Sequence, residues 1–154
     1  MFYTARLSSV MPAVPPRPLG FMGDKSDRDH AMPPKVLIVD DEPNIVVPLE
    51  FLMERKGYTV AVAHSGEEAL ETISKFQPDL ILLDIMLPGI DGYEVCEIVR
   101  LNNAWQGMRI IFLTAKGREV DIAKGMVLGA DAYITKPFSN DTVVRRVSEL
   151  LNGK

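Results

Sequence analysis

Cysteine and histidine are scarce in this chain of 154 residues. Cys96 is the only cysteine, so the chain can form no internal disulfide and no cysteine-based zinc site. The histidines, His30 and His64, have no second histidine or cysteine at a spacing typical of metal ligands. A lone thiol is typical of a reducing compartment and predicts a cytoplasmic protein.

Long apolar runs and basic clusters are missing as well. No stretch approaches the roughly 20 apolar residues that a membrane-spanning helix needs. The net charge is −4, and no stripe of Lys and Arg is interleaved with aromatic residues. We therefore expect neither direct DNA binding nor membrane insertion. An apolar fraction of 47% and a charged fraction of 25% are ordinary for a globular domain of this length.

Prolines are concentrated at the amino-terminal end. Six of the 11 lie within residues 1–34, where hydrophobic periodicity is also absent, which predicts a disordered, proline-rich tail. A signal peptide is disfavoured because "MFYTARLSSVMPAVPPRPLG" lacks a continuous apolar core. A true start at Met22 or Met32 remains open, as does any role for the tail.

From Lys35 onward, short apolar runs alternate with stretches of helical period, which predicts βα units around a parallel sheet. The predicted strands are 36–40, 58–63, 80–84, 110–114 and 132–135. Four of them are expected to be fully buried, whereas 58–63 alternates more and is expected nearer an edge. The chain ends after a fifth helix, which predicts a stand-alone domain over residues 35–154 without an output domain.

Apolar residues spaced three and four apart predict the core-facing side of each helix. The stripes are Ile45, Leu49 and Leu52; Ala69, Ile73 and Phe76; Val95, Ile98 and Val99; Val120, Ala123 and Val127; and Val144, Val147 and Leu151. Ser65 with Glu68 forms a capping-box pattern, and Gly57 and Gly129 lie where helices should end. Pro48 falls inside the first helix and should bend it.

Polar residues follow the predicted strands at their carboxyl ends, where ligands bind in doubly wound sheets. The first strand leads to Asp40 and Asp41, the third to Asp84, the fourth to Thr114 and the fifth to Lys136. Clustered carboxylates repel one another unless a cation is present, and hard oxygen ligands favour Mg²⁺. A central aspartate can attack phosphorus to give an aspartyl phosphate, while an ammonium and a hydroxyl bind the phosphoryl oxygens.

Each of these residues also has an ordinary structural explanation. Asp41 before Glu42 and Pro43 matches a helix N-cap with proline in the first turn. Asp84 could belong to a turn, Thr114 is a common strand residue, and Lys136 could be a plain loop lysine. Their joint occurrence at the ends of four strands favours a functional site.

Four segments carry a resemblance to a known family: "VLIVDDEP", "PDLILLDIMLPGIDG", "IIFLTAKG" and "GADAYITKPF". In this order they resemble the receiver domain of two-component response regulators, and the resemblance spans Lys35 to about Leu151. It implies a flavodoxin-like, doubly wound, five-stranded parallel sheet with strand order 2-1-3-4-5 and five helices. It also implies phosphoryl transfer from a histidine kinase or a histidine phosphotransfer protein.

The resemblance further assigns roles to individual residues. Asp84 would be the phosphoacceptor, and Thr114 and Lys136 would contact the phosphoryl group. The implied Mg²⁺ ligands are Asp40, Asp41, Asp84 and the backbone carbonyl of Met86. Thr114 and Tyr133 would form the switch that alters the face made by the fourth helix, fifth strand and fifth helix. Met86 and Lys116 would tune dephosphorylation, and the Lys136–Pro137 bond would be cis.

Other functions remain as alternatives. A receiver can act as a scaffold without phosphorylation. A phosphatase of the haloacid-dehalogenase type also uses Asp, Thr, Lys and Mg²⁺, but it places two aspartates two residues apart on its first strand, whereas here the pair is adjacent. A flavodoxin-like binding module would need a loop rich in Ser, Thr and Gly where this chain has Asp-Asp-Glu-Pro. The cognate kinase, downstream target and oligomeric state do not follow from the sequence.

Overall fold

The computed structural model describes residues 32–115 and 118–153. The predicted tail over residues 1–34 lies outside these ranges except for its last three residues, and so does Lys116.

Five strands form one parallel sheet in the order β2-β1-β3-β4-β5, which confirms the predicted topology. The strands are β1 (Lys35–Val39), β2 (Thr59–Ala63), β3 (Leu80–Asp84), β4 (Arg109–Ala115) and β5 (Ala132–Lys136). The sequence pattern therefore located every strand to within one residue at each end. The order reverses between β1 and β3, which is the switch point where a doubly wound sheet leaves a crevice.

A helix follows each strand within the described ranges. The helices are α1 (Pro43–Arg55), α2 (Gly66–Phe76), α3 (Gly92–Leu101), α4 (Glu119–Leu128) and α5 (Asn140–Asn152), with a short 3-10 turn at Asn103–Trp105. Of the helices in the part of the chain described, none is long and apolar enough to cross a membrane.

The sheet separates two hydrophobic cores because successive strand residues point to opposite faces. One core packs strand residues such as Leu37 and Leu83 against α2 and α3. The other packs residues such as Ile38 and Leu82 against α1 and α5. Strand β2 lies at an edge, as predicted. The prediction that β5 is fully buried is wrong, because β5 forms the opposite edge and Tyr133 is 40% exposed.

The helix-end signals behave largely as predicted. The Ser65 hydroxyl accepts a hydrogen bond from the Glu68 amide at 3.1 Å, while the Glu68 carboxylate accepts from the His64 amide at 2.8 Å. The cap is therefore reciprocal, but it reaches one residue further back than a standard capping box. Gly57 and Gly129 follow helix ends with φ of +95° and +111°, a region that side chains rarely adopt.

The predicted core face of α4 is wrong. Val120 and Val127 are 79% and 85% exposed, and Ala123 is exposed too, whereas Asp121 and Gly125 are the buried residues of this helix. A Cβ atom on Gly125 would lie 2.6 Å from ring carbons of Phe112, so the missing side chain lets α4 approach the sheet closely. Hydrophobic periodicity misses a contact built from a glycine and a paired aspartate.

An ion-pair network ties together the edge of the sheet opposite the strands' carboxyl ends. Arg100 Nη2 lies 2.8 Å from Asp131 Oδ2, and Arg109 Nη1 lies 3.6 Å from Asp131 Oδ1. Asp131 also accepts a hydrogen bond from the Ile110 amide at 2.8 Å. These contacts fix the turn after α4 against the start of β4.

Candidate phosphoryl and cation site

Three aspartates meet at the carboxyl ends of β1 and β3. Asp40 directly follows β1, and Asp84 is the last residue of β3, which pairs with β1 in parallel register. Asp40 and Asp84 are buried, while Asp41 is exposed. Each of the three offers a carboxylate oxygen within 4.8 Å of the others. The strand ends thus bring together the three acids that the sequence singled out.

Lys136 supplies positive charge to this cluster from the end of β5. Its Nζ lies 2.9 Å from Asp40 Oδ2, 3.2 Å from Glu42 Oε1 and 3.5 Å from Asp84 Oδ1. The Lys136 side chain is 18% exposed and Asp40 is fully buried. The peptide bond between Lys136 and Pro137 is cis, as the resemblance implied. A single ammonium therefore bridges strands that are distant in sequence.

The cluster carries more negative than positive charge, because the Lys136 ammonium faces several carboxylates. Burial raises the pKa of Asp84 to about 6, repulsion from Asp40 adds to the rise, and attraction to Lys136 opposes it. Burial alone would lower the pKa of Lys136, but its hydrogen bond to Asp40 and the attraction of both aspartates raise it above its usual value. The lysine stays charged at neutral pH, yet it does not fully offset the carboxylates.

A cavity of about 380 Å³ opens over Asp84. Its wall includes Asp41, Asp84, Thr114, Lys136, Arg118 and Asp121. The Thr114 hydroxyl is buried and makes no hydrogen bond to the described residues. A buried hydroxyl without a partner is costly, so its position in the cavity wall suits a ligand oxygen.

The loop after β3 holds Asp84 in place. The Met86 amide donates a hydrogen bond to Asp84 Oδ1 at 3.3 Å, and the Met86 side chain is exposed at the cavity rim. Gly92 begins α3 so close to the loop that a Cβ atom there would collide with the Asp84 carbonyl oxygen. Asp91 and Glu94 close a capping box at the same turn. The glycine and the cap together fix the backbone that presents the central carboxylate.

The donor set suits Mg²⁺. Carboxylate oxygens are the hard ligands that this ion prefers, and Mg²⁺ keeps several coordination positions for water or phosphate oxygens. Asp40, Asp41 and Asp84 present three such oxygens close together, and the repulsion that raises the pKa of Asp84 would be relieved by a divalent cation. The residues present therefore fit the implied metal.

Sequence reasoning missed three residues of the site. Glu42 is a further partner of Lys136, and Arg118 with Asp121 forms part of the cavity wall. The only sequence signal for the latter pair was opposite charge three residues apart at a helix start. Tyr133 lies on β5, where Thr135 pairs with Thr114 and Tyr133 pairs with Phe112. Tyr133 is therefore the diagonal neighbour of Thr114 on the same face of the sheet.

At its switch point the doubly wound sheet carries an acidic cluster, a lysine and a cavity, which define an α/β protein with a candidate ligand site. The family model for the response regulator receiver domain matches residues 36–148. The chain therefore belongs to the receiver domain family of two-component signalling. Receiver domains are signalling proteins rather than conventional enzymes, so membership of this family favours a signalling role over the phosphatase and flavodoxin-like alternatives.

Solved structures resemble this chain over the same region. A protein from Chloroflexus aurantiacus assigned as a response regulator is 41% identical, with a TM-score of 0.75, and the match covers 78% of this chain and 98% of that one. The chemotaxis response regulator CheY4 of Vibrio cholerae is 29% identical, with a TM-score of 0.73 and coverage of 77% and 98%. The receiver domain of the Pseudomonas aeruginosa sensor histidine kinase PA1611, whose structure has magnesium in its active-site cleft, is 27% identical, with a TM-score of 0.72 and coverage of 78% and 98%.

Proposed function

We propose that this protein is a response regulator that accepts a phosphoryl group on Asp84. The donor would be a histidine kinase or a histidine phosphotransfer protein, the partners with which receiver domains interact. The observation that carries the proposal is the setting of Asp84, a buried carboxylate on the wall of a cavity with the Lys136 ammonium 3.5 Å away. We assign this function to a domain over residues 35–154.

In the proposed reaction the phosphoryl group moves from a histidine of the donor to the Asp84 carboxylate. An Asp84 oxygen forms a bond to phosphorus while the bond from phosphorus to the donor's imidazole nitrogen breaks. The electron pair of the broken bond stays on that nitrogen, and the donor leaves as neutral imidazole when its second nitrogen already carries a proton. The product on this chain is an aspartyl phosphate.

The other residues of the cavity stabilise the charge that is transferred. Lys136 would bind one phosphoryl oxygen, and Thr114 would donate its unpaired hydroxyl to another. Mg²⁺ held by Asp40, Asp41, Asp84 and the Met86 carbonyl would supply further neutralisation of the phosphoryl oxygens. Met86 and Lys116 would set how fast the phosphoryl group is lost.

The experiment that tests this function is intact mass spectrometry after incubation with acetyl phosphate and Mg²⁺. We expect one added phosphoryl group on the wild-type chain. We expect none without Mg²⁺ and none in Asp84→Asn, which keeps the shape of the side chain but removes the nucleophilic carboxylate.

Addition to Asp84→Asn would contradict the assignment of the phosphoacceptor. No addition to any sample, together with no binding of beryllofluoride as a phosphoryl mimic, would instead favour a receiver that works as a scaffold without phosphorylation.

The proposed signal leaves the site through Thr114 and Tyr133 and reaches the surface formed by α4, β5 and α5. An aspartyl phosphate adds about −1.5 to −2 charges, and Thr114 would move toward the new oxygens. The space it leaves would admit the ring of Tyr133 from its diagonal position. The exposed apolar residues Val120 and Val127 belong to the same surface, which suits a protein partner.

We expect beryllofluoride with Mg²⁺ to bury the ring of Tyr133, which is 40% exposed without a ligand. The ring resonances of Tyr133, assigned by comparison with Tyr133→Phe, should shift and gain contacts to the Thr114 methyl group. Tyr58 directly precedes β2, at the edge of the sheet opposite β5, so its ring resonances serve as an internal control that should not shift. An unchanged Tyr133 environment with the mimic bound would exclude this route.

A further inference from the structure

Arg118 and Asp121 form a second charged pair on the wall of the cavity over Asp84. Arg118 Nε lies 2.8 Å from Asp121 Oδ2, and Arg118 Nη2 lies 3.2 Å from Asp121 Oδ1. The two contacts make a bidentate pair between a guanidinium and a carboxylate. The pair holds the start of α4 at the rim of the site.

The two partners differ in how firmly they are held. The Asp121 side chain is 11% exposed, whereas the Arg118 side chain is 52% exposed. Arg118 precedes α4 as its N-cap, and its side chain caps no backbone amide. The carboxylate is therefore fixed, while the guanidinium is free to change partners within the cavity.

The charges around the cavity favour such a change. Lys136 is already engaged by Asp40, Glu42 and Asp84. Among the described residues that line the cavity, Arg118 is the other cation. An incoming phosphoryl group carries negative charge into a site that already holds an excess of carboxylates, so a second cation has more to stabilise after the group arrives than before.

The Tyr93 hydroxyl can replace Arg118 as the hydrogen-bond donor to Asp121. The buried hydroxyl of Tyr93 makes no hydrogen bond of acceptable geometry to the described residues. Burial, together with the nearby Asp121 carboxylate, raises the pKa of Tyr93 to about 12, so the hydroxyl keeps its proton. A small rotation would let it donate to Asp121, which avoids leaving a buried carboxylate without a partner.

We propose that Arg118 is a second cationic binding residue for the phosphoryl group, with Asp121 as its resting partner. The inference rests on the proposed function of Asp84. As the phosphodonor enters, the guanidinium leaves Asp121 and binds the equatorial phosphoryl oxygens, which stay bonded to phosphorus throughout the transfer. With acetyl phosphate, an Asp84 oxygen bonds to phosphorus, the bond from phosphorus to the acetyl oxygen breaks, and acetate leaves with the electron pair.

The test compares phosphorylation rates in wild type, Arg118→Gln, Arg118→Lys and Asp121→Asn by intact mass over time. With acetyl phosphate, a dianion at neutral pH, Arg118→Gln should be slower by about five- to tenfold because it loses a charge-assisted contact. Arg118→Lys should recover part of the rate. Asp121→Asn should be faster than wild type, because it frees the guanidinium from its resting partner.

Two controls separate this role from a structural one. Arg109→Gln removes a similarly exposed arginine that also pairs with an aspartate but lies at the opposite edge of the sheet, and it should stay within about twofold of wild type. With phosphoramidate, which carries one negative charge fewer, Arg118→Gln should lose less than with acetyl phosphate.

Three results would overturn the inference. They are a rate for Arg118→Gln equal to that of wild type, an equal loss of rate with both donors, and a rate for Asp121→Asn below that of wild type, which would indicate a structural pair. If wild type itself takes no phosphoryl group from either donor, the proposed function fails and this inference fails with it.

Discussion

Replacing Lys136 by methionine is expected to lower the free energy of unfolding by about 3 kcal/mol in metal-free buffer near neutral pH. Methionine keeps an unbranched apolar chain but removes the ammonium that contacts Asp40 at 2.9 Å and Asp84 at 3.5 Å. Both carboxylates are buried, so without the ammonium two poorly solvated negative charges face each other at close range. Urea-induced unfolding of wild type and variant would measure the difference.

Lys56→Met is the matched control for this substitution. Lys56 is exposed at the end of α1, so its replacement should change stability by no more than about 0.5 kcal/mol. Acidification should also narrow the gap between Lys136→Met and wild type, because protonation of Asp84 relieves the same repulsion. A loss no larger than that of Lys56→Met would show that the ammonium contributes little to the fold.

Most of the candidate site could be predicted from the sequence because it follows from the strands. Apolar runs locate the strands, and parallel strands end at one edge of the sheet. The residues that follow the strands at and beside the switch point are therefore expected to meet in its crevice. Asp40, Asp84, Thr114 and Lys136 are all of this kind.

The other residues of the site, Glu42, Arg118 and Asp121, are brought to it by tertiary packing, which the pattern of apolar residues along the sequence does not describe. Glu42 contacts Lys136 only because the parallel sheet places the carboxyl ends of β1 and β5 at the same edge, with β3 and β4 between them. Arg118 and Asp121 line the cavity because α4 approaches Phe112 over Gly125, and a hydrophobic period gives no weight to a glycine. The same contact turns Val120 and Val127 outward, so one missed glycine explains both the wrong core face and the overlooked charged pair.

In the presence of EDTA, the titration of Asp84 alone is expected to raise the free energy of unfolding by about 2 to 3 kcal/mol as the pH falls from about 8 to about 4. The pKa of Asp84 is about 6 in the folded state, against an ordinary value of 3.8 for an aspartate in an unfolded chain. Between these values the folded chain holds a proton that the unfolded chain has released, so stability falls as the pH rises through this window. Above a pH of about 6 the Asp84 carboxyl is ionised in both the folded and the unfolded chain, and the full cost of burying its charge lowers the stability.

Lys136 does not interfere with this measurement. The pKa of Lys136 is raised above the ordinary lysine value of 10.5, so the stability that this lysine contributes is fully present below that pH and is lost only at more alkaline pH. Asp84→Asn cannot ionise and should therefore be more stable than wild type near pH 8 by about the same 2 to 3 kcal/mol, and it should lose most of the pH dependence.

Urea denaturation of both proteins across this pH range would measure the effect, with Asp79→Asn, an exposed aspartate before β3, as a control that should keep the wild-type pH dependence. A wild-type stability that rises with pH over the same window would mean that Asp84 is ionised more easily in the folded chain than in the unfolded one. In that case the attraction of Lys136 would outweigh burial and the repulsion of Asp40, and the site would need no further cation to hold its carboxylates together.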